Sequence, residues 1–500
     1  MSEINQQLPE GTPQKSDVCI SESNDGDSRI IHGFHIISPD IRSITIKAST
    51  LESDTRIYRK IAEVPIQPRE REQKNISKLS ILGSIFKITD ICFGVTIFTF
   101  AVKAKSFGLI WFLIACIITG IINYWTIMRG AISSFKYPNE NNYSILTEKI
   151  LGKKPRLILN VFTLLYSYAC MICFLSLIFP LFGRVLQNLA YNNEYNNYSE
   201  FEKNKWGKGF IKFPFFVAIT FFIGLMCLKK DIKKLNFTGY IEIGAVIYTL
   251  FVVIIQCNDY YNYYKKTKYV KNDKSTHANL VNLKKSFTED LDFFKGMAQL
   301  FCAYACHPRI FSIYGGFKNQ PGGLKKLRYG VFLAICLTTG LYLISIVCSF
   351  LTDPYTPEDL IIYRKNKGNG KDIAMTISKL FLTLSLIFNI PGYYHNLRLN
   401  IVSSFMHGKI SERFNYIFTS LSCLGCAIIA AIYNKTLNYI CYIGVISVFI
   451  CYLFPILMYV YSSDKKLKSW RNILEIIFAV ILCIIGVIAG IVTLIDDIKH

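Results

Sequence analysis

The sequence predicts an all-α protein that crosses a bilayer many times, and three observations carry that prediction. Of its 500 residues, 52% are hydrophobic, and the mean hydropathy is +0.32. About eleven apolar segments of spanning length follow one another from Leu79 to Ile495. A soluble chain would spread its charges among such segments, whereas here they collect in the connections.

The formal charge of +22 is read through this topology. Lysine and arginine sit mostly at segment ends, where they snorkel or face anionic lipid, so the expected partner is the bilayer. No aromatic-interleaved basic domain points to nucleic acid. Nearly all of the 16 cysteines fall inside apolar segments, where Cys acts as a small polarizable hydrophobe, so no disulfide framework is indicated. Cys302, Cys306 and His307 cluster, but no carboxylate or second Cys/His pair stands near them, so neither a metal nor a cofactor is expected.

Residues 1–78 read as a polar, disordered tail without a signal peptide, and the arginines and lysines before the first span place it in the cytosol. The first span, Leu79–Val102, carries Lys87, Asp90 and Gly94. A central charge costs about 2.5–3.5 kcal/mol on insertion scales, so Asp90 should face protein. Lys87 and Asp90, spaced i,i+3, are expected either to neutralise each other as an internal pair or to form a cation or proton site. The second to fifth spans follow at Phe107–Met128, Leu157–Phe182, Phe210–Leu228 and Asn236–Cys257. The basic connections 131–156 and 229–234 read as cytosolic, and 185–209, with a glycosylation sequon at Asn197, as external. Glu242, near the start of the fifth span, reads as structural because a helix N-terminus favours an acid. A polar external loop is expected over 258–290, although its lysines oppose the positive-inside rule.

The sixth span, Leu291–Phe317, is long enough to cross, yet Pro308, Gly315 and Gly316 weaken it and His307 is titratable at membrane depth. It reads either as a proline-kinked helix with a packed histidine or as a broken helix facing a watery cavity. Five further spans are expected at Tyr329–Leu351, Asp372–Phe405, Phe414–Tyr433, Leu437–Tyr461 and Ile473–Ile495, which puts the last residues outside. Pro391 and Gly392 should bend the eighth or end its membrane part.

Spans one and six are five apart, and each joins a charged or titratable group to a helix-weakening residue. Interrupted spans in matching positions of two halves point to a secondary-transporter site. The predicted architecture is two inverted five-span repeats, 79–257 and 291–461, with 462–500 holding an extra span. No phosphate loop or hydrolase motif suggests an enzyme or an ATP-driven pump.

These residues resemble the amino acid/auxin permease family. Tyr304, Ala305, Cys306 and His307, then Ile310, Ile313, Tyr314 and the Lys325-Lys326 turn, are similar to its sixth-span signature. Gly83 through Gly94 to Lys105 and Gly108, the run from Asn142 to Lys154, and Pro391 with Arg398 are similar in three other places. The resemblance implies an APC/LeuT-like fold with breaks in spans one and six. It implies a substrate site at Gly94, Val95, Thr96, Ala303, Tyr304 and Cys306, with Asp90, Lys87, His307, Ser385 and Asn389 near a coupling or cation site. It implies an amino acid as substrate, carried by alternating access; from Asp90 and His307, proton coupling is preferred to sodium coupling. An amino-acid sensor signalling through the N-terminal tail is the alternative. The sequence departs from the family where Gly94-Val95-Thr96 replaces Gly-small-Gly, and at Lys87, Ala101 and Gly316.

Overall fold

The computed structural model describes residues 80–92, 94–190, 201–202, 212–228, 237–268, 292–352, 360–364, 372–405, 411–432, 436–463 and 469–499. The N-terminal tail and the Asn197 sequon lie outside them. Every described element is helical.

The helices are α1 (Ile81–Cys92), a 3-10 turn (Val95–Thr99), α2 (Phe100–Phe107), α3 (Leu109–Phe135), α4 (Tyr143–Leu151), α5 (Lys153–Ala190), α6 (Lys212–Leu228) and α7 (Phe237–Lys268). Then come α8 (Asp292–Ala303), α9 (His307–Lys318), α10 (Gly323–Thr352), α11 (Ile373–Phe405), α12 (Glu412–Ile432), α13 (Thr436–Val448), α14 (Phe454–Ser462) and α15 (Trp470–Lys499). Eight helical runs among the described residues are long and apolar enough to cross a membrane, and α1 with α2, bent by 49°, makes a ninth. Side chains such as Ile117, Ile121, Phe251 and Leu421 stand exposed on these runs. In a soluble fold that exposure would be unfavourable; against lipid it costs nothing.

Starts and stops follow local chemistry. Ser80 Oγ accepts from the Gly83 N–H, and Ser411 Oγ from the Phe414 N–H, each satisfying a donor that the first helical turn leaves free. Asn142 caps α4 by accepting from Ser144 and Ile145, so the connection read as a plain loop holds a helix. Gly108 at φ 89° turns the chain between α2 and α3, a conformation that costs glycine little.

Several expectations need correction. The segment read as a loop from 258 is helical as far as Lys268, because α7 continues past the apolar run. The chain continues as helix through Pro391, which neither ends α11 nor starts a loop. The tenth span is not one regular helix: a π-helical turn, Phe449–Leu453, separates α13 from α14, and Pro455 lies in the first turn of α14. The connection after α10 contains a 3-10 turn, Ile361–Tyr363, whose side chains are buried.

α11 packs most extensively on α5, and α10 lies against both α1 and α3. Small residues let backbones approach closely, as expected where lipid gives helices no hydrophobic reason to associate. A Cβ added at Gly444 on α13 would lie 1.9 Å from the Ala298 carbonyl oxygen on α8. The Gly444→Ala substitution is therefore expected to force these helices apart at a cost of about 1–3 kcal/mol. Gly425→Ala on α12, where a Cβ meets nothing within 4 Å, is the control. Thermal unfolding of detergent-purified protein should show a clear loss in Tm for the first and none for the second.

Candidate functional site

Two interruptions meet in the middle of the bundle. The first follows α1: Gly94 is extended (φ −143°, ψ 176°), and the chain restarts as the 3-10 turn before α2. An extended φ is open to any residue, and a Cβ at Gly94 would meet only Thr96 Oγ1 at 4.0 Å. The second lies between α8 and α9. Tyr304, Ala305 and Cys306 leave the helix, and Arg309 and Ile310 N–H both donate to the Cys306 carbonyl as α9 begins. Pro308 sits in the first turn of α9, where its missing N–H would be free anyway, so it starts the second half rather than kinking one helix. The broken-helix reading of this span is the one the geometry matches.

A break exposes carbonyls that lipid cannot satisfy. Here one face of α10 supplies partners. The Tyr342 hydroxyl lies 2.6 Å from the Cys92 carbonyl oxygen and 2.8 Å from that of Ala303, the last residues of α1 and α8. One turn further on, Ser345 donates to the Ile97 carbonyl at 3.0 Å; one turn earlier, Thr339 Oγ1 pairs with the Tyr304 hydroxyl at 2.8 Å. The spacing of three puts Thr339, Tyr342 and Ser345 on one helical stripe. The Tyr166 hydroxyl on α5 donates to the Ala305 carbonyl at 3.3 Å, and Thr96 Oγ1 meets Cys302 Sγ at 3.9 Å across the two breaks.

Between the breaks is a cavity of about 50 Å³, walled by Gly94 and Thr96, Cys302 and Ala305, Tyr166, Cys170, Cys173 and Phe174 of α5, Glu242 of α7 and Tyr393 of α11. A smaller space of about 10 Å³ shares Ile91, Tyr166, Ala305 and Tyr393 with it and adds Arg309 and Asn396. The Arg309 guanidinium lies 4.0 Å from the Tyr393 ring centroid, a cation–π contact.

The residues expected from sequence divide accordingly. Gly94 and Thr96 line the cavity, and Val95 belongs to the turn beside them. Ala303 contributes its carbonyl to the Tyr342 contact, while Tyr304 and Cys306 are buried outside the cavity wall, Cys306 beside Asn123 of α3. His307 is fully buried and turned to α3, with Nε2 3.1 Å from Thr126 Oγ1, so it does not line the cavity. Ser385 and Asn389 are buried on α11, which packs against α7, the helix of Glu242. Lys87 is exposed and forms no ion pair with Asp90, which corrects the internal-pair expectation. Asp90 instead packs on the α7 backbone, where a Cβ at Gly239 would lie 2.7 Å from its Oδ2. The cation whose charge Asp90 feels is Arg309. Arg309 was passed over in the sequence, although a charge between Pro308 and Gly315 at membrane depth is itself a signal. Glu242 was read as structural and is a cavity-wall residue.

Replacing Tyr342 by Phe should leave two buried carbonyls without their donor. The expected loss is about 1–3 kcal/mol, read as a lower Tm, with the fold retained.

The residues 77–498 match the family model described as transmembrane amino acid transporter protein. The chain is 21% identical over 328 residues to the sodium-coupled neutral amino acid transporter 7 of Homo sapiens, which covers 62% of each chain. It is also 21% identical over 395 residues to the vacuolar amino acid transporter 2 of Saccharomyces cerevisiae, covering 77% of this chain and 70% of that one. The matched segment holds the membrane helices found among the described residues and both breaks that enclose the cavity, and the chain belongs to the transmembrane amino acid transporter family.

Proposed function

We propose that this protein is a secondary transporter that moves amino acids through the membrane by alternating access. The observation that carries the reading is the meeting of two helix breaks at one cavity, with half-helix N-termini on one side and Glu242 in the wall. The first N–H groups of a helix have no partner within it and carry about half a positive charge, so the Gly94–Thr96 turn suits a substrate carboxylate. Carbonyls and hydroxyls of the second break suit the ammonium group. The cavity as it stands holds only a few waters, since one water needs about 10–15 Å³ of such space; a larger side chain requires its walls to move.

The eleven-span reading takes α1 with α2, α6, and α8 with α9 as spans beside the eight long runs. The packing supports two inverted repeats, 79–257 and 291–461. When each span is exchanged with the one five places later, α5 on α11 maps onto itself, and so does α6 on α12. The pair α7–α11 maps onto α13–α5, and α7–α10 onto α14–α3. A bundle without internal symmetry has no reason to pair its contacts in this way. The N-terminus is placed in the cytosol by the arginines and lysines before the first span.

The test is counterflow with purified protein in liposomes against a panel of labelled amino acids. Saturable uptake of at least one is expected, and uptake of none overturns the reading. A second readout uses Cys170 and Cys302, which line the cavity. Their alkylation by a membrane-permeant thiol reagent should slow several-fold when the transported amino acid is present at saturation.

A further inference from the structure

Two carboxylates and one guanidinium face each other across the broken spans, and among the described residues no other charged group faces them. Asp90 comes from α1 and lies against Gly239 of α7, where a Cβ would come within 2.7 Å of its Oδ2, one turn before Glu242 on that helix. Arg309, from the second half of the sixth span, shares the wall of the smaller space with Ile91, the neighbour of Asp90 in the chain. Glu242 is only 8% exposed and lines the cavity. Asp90 Oδ1 and Arg309 Nη2 are both buried without a hydrogen-bond partner. Among the described residues the other groups facing them are uncharged thiols, phenols and an amide: Cys92 from α1, Tyr166 and Cys170 from α5, Cys302 from α8, and Tyr393 and Asn389 from α11. Lys87, one turn away, is exposed, and His307 is turned to Thr126.

Charge counting then decides the state of the cluster. Arginine stays protonated in proteins, so Arg309 supplies one fixed positive charge. With both carboxylates ionised the cluster would bury an unmatched negative charge, which costs several kcal/mol at low dielectric. Two interacting carboxylates in that position titrate as one unit.

We propose that Asp90 and Glu242 share one exchangeable proton opposite Arg309, and that this proton couples amino acid movement to a pH gradient. The inference rests on the transporter reading above. A hydronium ion on the side to which the cavity opens gives up the proton: one of its O–H bonds breaks, leaving water, as an O–H bond forms on one carboxyl. On the other side that bond breaks as the proton passes to water and forms hydronium. Once Arg309 balances one carboxylate, the other needs a single positive charge, and a proton supplies it without the shell of oxygen ligands that a metal ion requires. Because Glu242 lines the cavity, occupancy by substrate alters the surroundings of the shared proton directly.

The single amide variants are diagnostic. In Glu242→Gln or Asp90→Asn, one carboxylate and one guanidinium balance with no proton, so the pH dependence should vanish from both. The measurement is counterflow in liposomes over a series of pH values, together with uptake driven by an imposed pH or sodium gradient. In the wild type the rate should change about tenfold across two pH units, as a single titration requires. In each amide variant the change should shrink to about twofold or less, whatever the absolute rate, while Arg309→Gln keeps a pH dependence. Wild-type pH profiles in both amide variants would overturn the proposal, and so would uptake by the wild type driven by sodium but not by pH. If the variants fail to run as a single species on size exclusion, wild-type protein in weak buffer supplies the answer. Adding the transported amino acid should then change the bound protons by about one per molecule, and no change overturns the proposal. Absence of counterflow for every amino acid would overturn the transporter reading itself; counterflow with a flat pH profile overturns only the shared proton.

Discussion

The two broken spans depend on one contact, the Tyr342 hydroxyl between the last carbonyls of α1 and α8. In lipid a helix cannot end halfway unless protein satisfies what the break exposes. One hydroxyl donates one proton, so it serves the two acceptors alternately or shares itself between them. That ties both first half-helices to α10 and to each other. The same stripe of α10 reaches Tyr304 through Thr339 and Ile97 through Ser345, so one helix face fixes both breaks at once. The cavity lies where it does because these breaks are held side by side.

The breaks are alike in place and unlike in construction. The second is written in the residues as Pro308, which can only begin a helix cleanly. The first needs no such residue. Gly94 is extended, and a 3-10 turn follows, so β-branched residues at 95 and 96 are compatible with a backbone of negative φ. The departure from a glycine-rich pattern therefore does not close the break. It narrows it: the Thr96 hydroxyl meets Cys302 across the gap where a glycine would leave space.

The bilayer-spanning character was legible in the sequence because hydropathy is a local signal, and Pro308 marked the second break, whereas the place of the first came from the resemblance at Gly94-Val95-Thr96. What was not legible is which side chains meet. Lys87 and Asp90 share a helix face by spacing, and the pair fails because Lys87 stands exposed while Asp90 is drawn against Gly239 of α7. Glu242 was assigned to a helix dipole from its distance to the start of its span, yet α1 and α11 bury it and make it part of the cavity. His307 and Arg309 are two residues apart, and the helix turns them in different directions, the first to Thr126 and the second to Tyr393. Leu360 and the turn from Ile361 to Tyr363 sit in a connection whose composition reads as polar, and no local pattern announces that they are buried.

The wall between the larger and the smaller space is light enough for alternating access. Moving α9 away from α11 and α5 breaks the Arg309–Tyr393 contact and the Tyr166–Ala305 hydrogen bond. The first is worth about 2 kcal/mol when desolvated, and the second about 1 kcal/mol net. A ligand bound at micromolar Kd releases about 8 kcal/mol, and one at millimolar Kd about 4 kcal/mol. Either exceeds what holds this wall together. By contrast, the carbonyls that Tyr342 serves cannot be released into lipid without losing their partners outright. The asymmetry says which contacts can open during a transport cycle and which must travel intact: the aromatic wall on the α9 side is the movable one, and the α10 clasp keeps α1 and α8 together in every state.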